Sequence, residues 1–450
     1  MEFGADGLPA GLSLDPATGV IKGELAEAAD HPLKLEARNK HGLAVKPFVI
    51  KCGEQICLTP AMGWNSWNCW AGSVNQEKVL RAARAMADTG LAQHGWTYIN
   101  IDDTWQGART GPLRALQGNE KFPNPKALCD EVHAMGLKIG IYSTPWITSY
   151  AGYCGGSSDS PDGSWSKPAG KGDGWRHGRT SFASEDARQW AEWGIDYVKY
   201  DWAPIDVPHA AEMFKALRDS GRDIVLSLSN AADVALAGEW PRVANSWRTT
   251  GDIGDQWQYH PNDKEPWRYG VSEIAFSQDP WAASSGPGHW NDPDMLVVGK
   301  VGWGPSLHPT RLTPDEQYSH ITMWCMLSAP LILGCDLEQL DAFTLSLLTN
   351  DEVLEIDQDA LGRQAVRVAT VGPIDVYLKG LADGSHALAF FNRSKNAEEF
   401  SFNKLGPIGL GGTRHVRDLW RQRELPDCKG WIDGDVPGHG VLLLRLSPSS

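Results

Sequence analysis

Between residues 57 and 358 the chain repeats one pattern: a short apolar run, a polar loop, then a stretch of helical period. Ala61 to Trp67 (AMGWNSW) predicts a first strand. Asn75 to Asp88 predicts a helix with Val79, Ala83 and Met86 inward and Lys78, Arg81 and Arg84 outward. Thr97 to Ile101, Lys138 to Tyr142, Tyr197 to Tyr200 and Ile224 to Leu228 continue the series. Helices near Lys126–Met135, Ser184–Trp193, which Gly194 stops, and His209–Ser220 separate them. Weaker runs at Ala244 to Arg248 and ahead of Asp294 supply the sixth and seventh strands. Leu331 to Leu333 is the eighth, behind a helix that starts with Thr313 as N-cap, Pro314 next and Glu316 at N3. Eight such units predict a closed (β/α)8 TIM barrel over 57–358.

The flanks read differently. Over 1–53, short alternating runs such as Leu33, Leu35 and Ala37 lie between turn clusters at Asp15–Gly19 and Asn39–Gly42, which predicts a small β module. Over 361–450 the helical period is gone. Val376 and Leu378, then Ala387 and Ala389, alternate on either side of Asp383-Gly384, and Val441, Leu443 and Arg445 form a last strand. A C-terminal antiparallel β-sandwich is expected there.

Charge and composition narrow the partners. A formal charge of -15 argues against nucleic acid and anionic membrane surfaces, and no run of 18 apolar residues is present to span a bilayer. Trp, at 21, outnumbers Phe and Tyr, at 11 and 10, and flat rings with a polar handle suit sugar faces. None of the eight Cys has C-x-x-C or Cys/His zinc spacing, so no structural metal is expected. Residues 1–10 lack a signal-peptide pattern.

Barrel strands deliver their C-terminal ends to one mouth, and here those ends carry carboxylates. Asp102 and Asp103 follow the second strand, Asp201 the fourth, Asp252 the sixth, and Asp292 and Asp294 the seventh. Asp201 is the most conspicuous, because it ends the apolar run Ile195 to Trp202 (IDYVKYDW), where carboxylates are depleted. An ion pair with Lys199 is the structural alternative. With aromatic walls from Trp67, Tyr142 and Trp202 and cations from Lys199 and Arg248, the rim suits a neutral polyhydroxylated ligand. Two of its carboxylates can cleave a glycosidic bond, one attacking the anomeric carbon and the other protonating the leaving oxygen, and a separation of about 5 to 5.5 Å would mean retention. His289, Asp292 and Asp294 form a competing metal grouping, but Asp292-Pro293-Asp294 also reads as a turn. No phosphate-binding glycine loop and no G-x-S-x-G elbow appear.

The segments LTPAMGWNSWNCW, YINIDDTW, GIYS, YVKYDW, NSWRTTGDI, GPGHWNDPDMLVVG and LSAPLILGCDL, in this order over about 57–395, resemble the family 27 glycoside hydrolases, the α-galactosidase and α-N-acetylgalactosaminidase group. The pattern GLSLDPATGVIKG resembles the small immunoglobulin-like modules of bacterial glycosidases, whose company implies a secreted or periplasmic bacterial setting. The family resemblance implies a retaining double displacement on a carbohydrate substrate without metal or cofactor. It implies Asp201 as nucleophile and Asp252 as general acid/base, with Trp67, Asp102, Asp103, Tyr142, Lys199, Arg248, Asp294 and Met295 lining the sugar pocket.

Two departures are visible. Ala203 and Tyr150, and Leu228 and Ala244, occupy the places of two cysteine pairs found in many family members. After the fifth strand, Ser229-Asn230-Ala231-Ala232 replaces the family's Cys-Glu-Trp. Small residues at Ser229 and Ala232 are the device by which the N-acetylgalactosaminidase branch admits a 2-acetamido group. α-Galactosidase is therefore the first expectation and α-N-acetylgalactosaminidase the second. β-L-Arabinopyranosidase and a non-catalytic sugar-binding barrel come after them.

Overall fold

The computed structural model describes residues 1–170, 172–259, 268–304 and 306–449, in two compact units, Met1–Ile56 and Cys57–Ser450. The first unit is a three-stranded antiparallel sheet of Glu2–Asp6, Ala29–Asn39 and Gly42–Cys52, with a separate hairpin of Leu12–Leu14 and Ile21–Gly23. Asn39 pairs with Gly42, so Lys40 and His41 form a two-residue turn.

The second unit contains the barrel. Its strands are β1 (Met62–Asn65), β2 (Tyr98–Asn100), β3 (Lys138–Ser143), β4 (Tyr197–Asp201), β5 (Val225–Ser229), β6 (Ser246–Arg248), β7 (Trp290–Asp292) and β8 (Leu331–Leu333). They form one parallel sheet in the order β7-β6-β5-β4-β3-β2-β1-β8. The seam between β7 and β8 is closed just past β7, by a parallel bridge between Leu296 and Leu333. Leu296 N–H donates to Ile332 O at 2.8 Å, and Gly334 N–H to Leu296 O at 3.0 Å.

Buried strands need covering on their outer face, and the helices supply it. Gln76–Asp88 starts where Asn75 accepts from Lys78 N at 2.9 Å, and Pro125–Ala134 where Asn124 accepts from Ala127 N at 3.1 Å. Ala183–Trp193 ends at Gly194, whose φ of 92° is left-handed. Val207–Asp219 is capped by Asp206, and Pro314–Leu327 by the Thr313/Glu316 capping box read from the sequence. Each cap contributes about 1 kcal/mol. Inside the barrel, space is short: a Cβ on Gly140 would lie 2.0 Å from Asn100 Oδ1, so only glycine fits.

The C-terminal part is a six-stranded antiparallel sheet faced by the pair Glu398–Phe402 and Ile432–Val436. Phe390, Phe400, Phe402, Val376 and Leu444 fill the space between them. This is the sandwich expected from the alternation, and it belongs to the same compact unit as the barrel.

Candidate active site

Alternation along each strand turns every second side chain into the barrel, and the last inward residue of a strand reaches the mouth. A cavity of about 1060 Å³ opens there. Trp67, Asp102, Asp103, Tyr142, Lys199, Asp201, Ser229, Arg248, Asp252, Asp294 and Met295 all line it. Eleven of the thirteen residues expected to be catalytic or to line the sugar pocket therefore meet in one place, and Asp292, the remaining strand-end carboxylate, lines a smaller cavity instead.

The floor is a charge network. Lys199 Nζ donates to Asp102 Oδ2 at 2.8 Å. Burial works against the Lys199 charge, but Asp102 and Asp201 hold its pKa above the ordinary lysine value. Asp103 Oδ1 accepts from Thr104 N and Gln106 Nε2, and its Oδ2 from Ala151 N at 2.9 Å. Burial still pushes its carboxyl up. Asp294 has a left-handed backbone, φ 80°, which aims its carboxylate at Ile253 N and Arg248. Beneath Arg248 a second cavity of about 30 Å³, near the volume of one water, is walled by Asn65, Asn100, Tyr197 and Asp292 among others.

Asp201 sits at the centre, 8% exposed. Tyr142 Oη donates to its Oδ2 at 3.0 Å, and Asn230 Nδ2 donates to its Oδ1. Burial pushes its pKa up to about 7 against the pull of Lys199, with Asp102 and Asp252 adding to the rise. Asp252 stands at the rim, its side chain 52% exposed. Burial of the carboxyl acts upward, but Arg248 Nη2 at 2.9 Å overrides it and leaves Asp252 below the ordinary carboxylate range. Arg248 also reaches Asp294 at 3.2 Å and donates to Ser229 Oγ at 3.3 Å.

Two expectations are corrected. Trp202 is not a wall of the cavity. It is fully buried, edge-on to Tyr200, with its Nε1 donating to Asp206 at 3.1 Å, because alternation after the inward Asp201 turns it outward. Ala232 does not line the cavity either; it is buried with its N–H on Arg248 O at 2.8 Å. The residue of that loop that faces the cavity beside Ser229 is Asn230, at φ 78°. Nor are His289, Asp292 and Asp294 assembled as ligands. Among the described residues, the grouping with ligand atoms close together is His177, Asp206 and His209, none of which lines the cavity.

Sequence reasoning missed Asn230, Tyr150 and Trp175. Tyr150 Oη is 3.4 Å from Asn230 Nδ2, and its ring lies edge-on to Trp146 and Trp175, each at 5.1 Å. The one signal in the sequence was that Tyr150 stands where a family cysteine is expected. All eight cysteines are free thiols.

A (β/α)8 barrel whose C-terminal mouth holds several carboxylates and aromatic rings around one cavity has the architecture of a glycosidase. Comparison with known proteins specifies which. The family described as α-galactosidase A matches residues 59–162 and 172–359, and the α-galactosidase C-terminal β-sandwich domain matches 371–446. The chain is 34% identical to α-galactosidase A of Cellvibrio japonicus over 412 residues, 88% of this chain and 93% of that protein. It is 30% identical to the α-N-acetylgalactosaminidase of Gallus gallus over 428 residues, 88% and 95%. The crystal structure of α-galactosidase I from Mortierella vinacea superposes with a TM-score of 0.75 at 29% identity, covering 88% of this chain and 98% of that one. The chain belongs to the α-galactosidase family, glycoside hydrolase family 27.

Proposed function

We propose that this protein releases terminal α-linked D-galactose by a retaining double displacement, with Asp201 attacking the anomeric carbon and Asp252 acting as acid and then base. The observation that carries the reading is the placement of these two carboxylates on one cavity, one on its floor and one at its rim. A floor carboxylate meets the sugar ring, whereas a rim carboxylate meets the departing oxygen and, later, water. Asp102, Asp103 and Asp294 accept from sugar hydroxyls, and Trp67 and Tyr142 cover the ring.

The protein's own groups rank the two carboxyls in the opposite order to that required by the first step. Asp201 favours its proton because it is buried, and Asp252 loses its own because Arg248 lies against it. A sugar hydroxyl that accepts from Arg248 draws the guanidinium off Asp252, which then takes up the proton. Hydroxyl donors and Lys199 favour the anion on Asp201. Pocket filling thus sets the working protonation state.

The acetamido alternative loses support, since Ala232 is withdrawn and Asn230 occupies the space between Asp201 and Tyr150. The test is azide rescue with an activated aryl α-galactoside. Asp201→Gly should yield β-galactosyl azide, from direct attack, and Asp252→Ala should yield α-galactosyl azide, from the covalent intermediate. Exchanged products would reverse the roles. A preference of the wild type for the 2-acetamido glycoside would replace the substrate.

A further inference from the structure

The family pattern matches on either side of residues 163–171 but not across them, yet Lys167, Pro168, Ala169 and Gly170 line the same cavity as the carboxylates. At about 1060 Å³ that cavity is at the upper end of small-ligand sites, larger than one sugar ring requires. Its lining is graded by depth. Asp102, Asp103, Tyr142, Asp201 and Arg248 on the floor are buried, whereas Asp252, Lys167, Ala169 and Gly170 at the rim are exposed.

We propose that the segment 163–170, with Tyr150 and Trp175, forms an aglycone subsite that holds a second sugar ring behind the scissile bond; this rests on the galactosidase reading above. Three features support it. The segment is fastened at both ends, Ser164 O accepting from Ser158 Oγ at 2.8 Å and Gly170 N donating to Asp173 Oδ2 at 2.9 Å. Trp175 is immobilised, stacked on Trp146 at 6.2 Å and 17° and donating from Nε1 to Ser149 O at 3.2 Å, so its contact with a ligand costs little side-chain entropy. The Lys167 stem lies 3.6 Å from the Cβ position of Gly152, and among the described residues its ammonium has no hydrogen bond or ion pair. An ammonium with three donors and two aromatic rings lining one cavity suit the hydroxyls and the apolar face of a pyranose.

The subsite is tested by the ratio of kcat/KM for raffinose, whose galactose is followed by a sugar, to that for α-galactosyl fluoride, whose leaving group is a single atom. The expected result is a fall in this ratio of at least tenfold in Trp175→Ala and severalfold in Lys167→Ala, mainly through KM for raffinose. A ratio within twofold of the wild type in Lys167→Ala and Trp175→Ala overturns the subsite. Where Trp175→Ala depresses both substrates alike through lost packing, Lys167→Ala, on an exposed residue, decides. Failure of the wild type to cleave galactosyl fluoride sinks the galactosidase reading itself, and the subsite with it. Cleavage with an unchanged ratio sinks only the subsite.

Discussion

Asp201→Asn should abolish turnover and stabilise the fold, and the second effect depends on pH. The folded protein raises the Asp201 pKa from 3.8 to about 7, mainly by burial. A raised carboxyl binds its proton more tightly folded than unfolded, so stability is lost as pH rises from about 4 to about 7 and the penalty is complete above that. At about 1.4 kcal/mol per unit the full penalty is about 4 kcal/mol, of which roughly 1.5 is already present at pH 5. Asparagine does not titrate and keeps nearly the same shape. The gain from Asp201→Asn should therefore be about 3 kcal/mol larger at pH 8 than at pH 5, or about 3 to 4 °C in melting temperature for a unit of this size. Paired thermal melts of wild type and variant at the two pH values measure it. An equal shift at both pH values, or a larger one at pH 5, would refute the account of Asp201 as a buried carboxyl held at a cost for function.

Arg248→Lys should move the alkaline limb of the kcat/KM profile to higher pH, because Asp252 must carry its proton in the first step and the guanidinium at 2.9 Å is what holds its pKa low; an unmoved alkaline limb would mean that Arg248 does not set it. The side chains of Arg109 and Asp186 form a fully buried pair, at 2.7 and 2.8 Å, so Arg109→Met alone should cost about 3 to 5 kcal/mol in denaturant melts. A cost under about 1 kcal/mol would show the pair to be dispensable. Trp202→Phe should lower stability through the lost bond to Asp206 while leaving KM within about twofold; a large rise in KM would put Trp202 back against the substrate.

Most barrel strands were legible because each is a buried apolar run with a polar exit, and β6 and β7 were faint because two of the three residues in each are polar, Ser246 and Arg248 in one and Asn291 and Asp292 in the other. Helix starts were legible at Asn75 and Thr313, where a side chain caps them, whereas the cap at Asp206 was passed over and the short helices capped by Asp341 and Asn350 went unread. The carboxylates could be found because strand ends converge whatever the loops do. Trp202 was misplaced because its neighbour's role was extended to it, although alternation argued the reverse. Asn230 and Tyr150 depend on where two loops, one with a left-handed residue, meet over the mouth, and no local periodicity encodes such a meeting. The 163–170 rim is likewise a loop product, without hydrophobic pattern.

The strand order has a consequence for synthesis. The first strand of the barrel pairs with the last, Gly63 with Ile332, and Trp64 Nε1 donates to Cys335 O across 271 residues. A ribosome therefore releases Met62–Asn65 with one flank unpaired, and that edge stays open until Leu333 has emerged. Such an edge is a template for other chains, so translation of the whole barrel is the interval in which a nascent chain needs shielding. Pausing late in the message, before the eighth strand, should reduce soluble yield more than pausing after it.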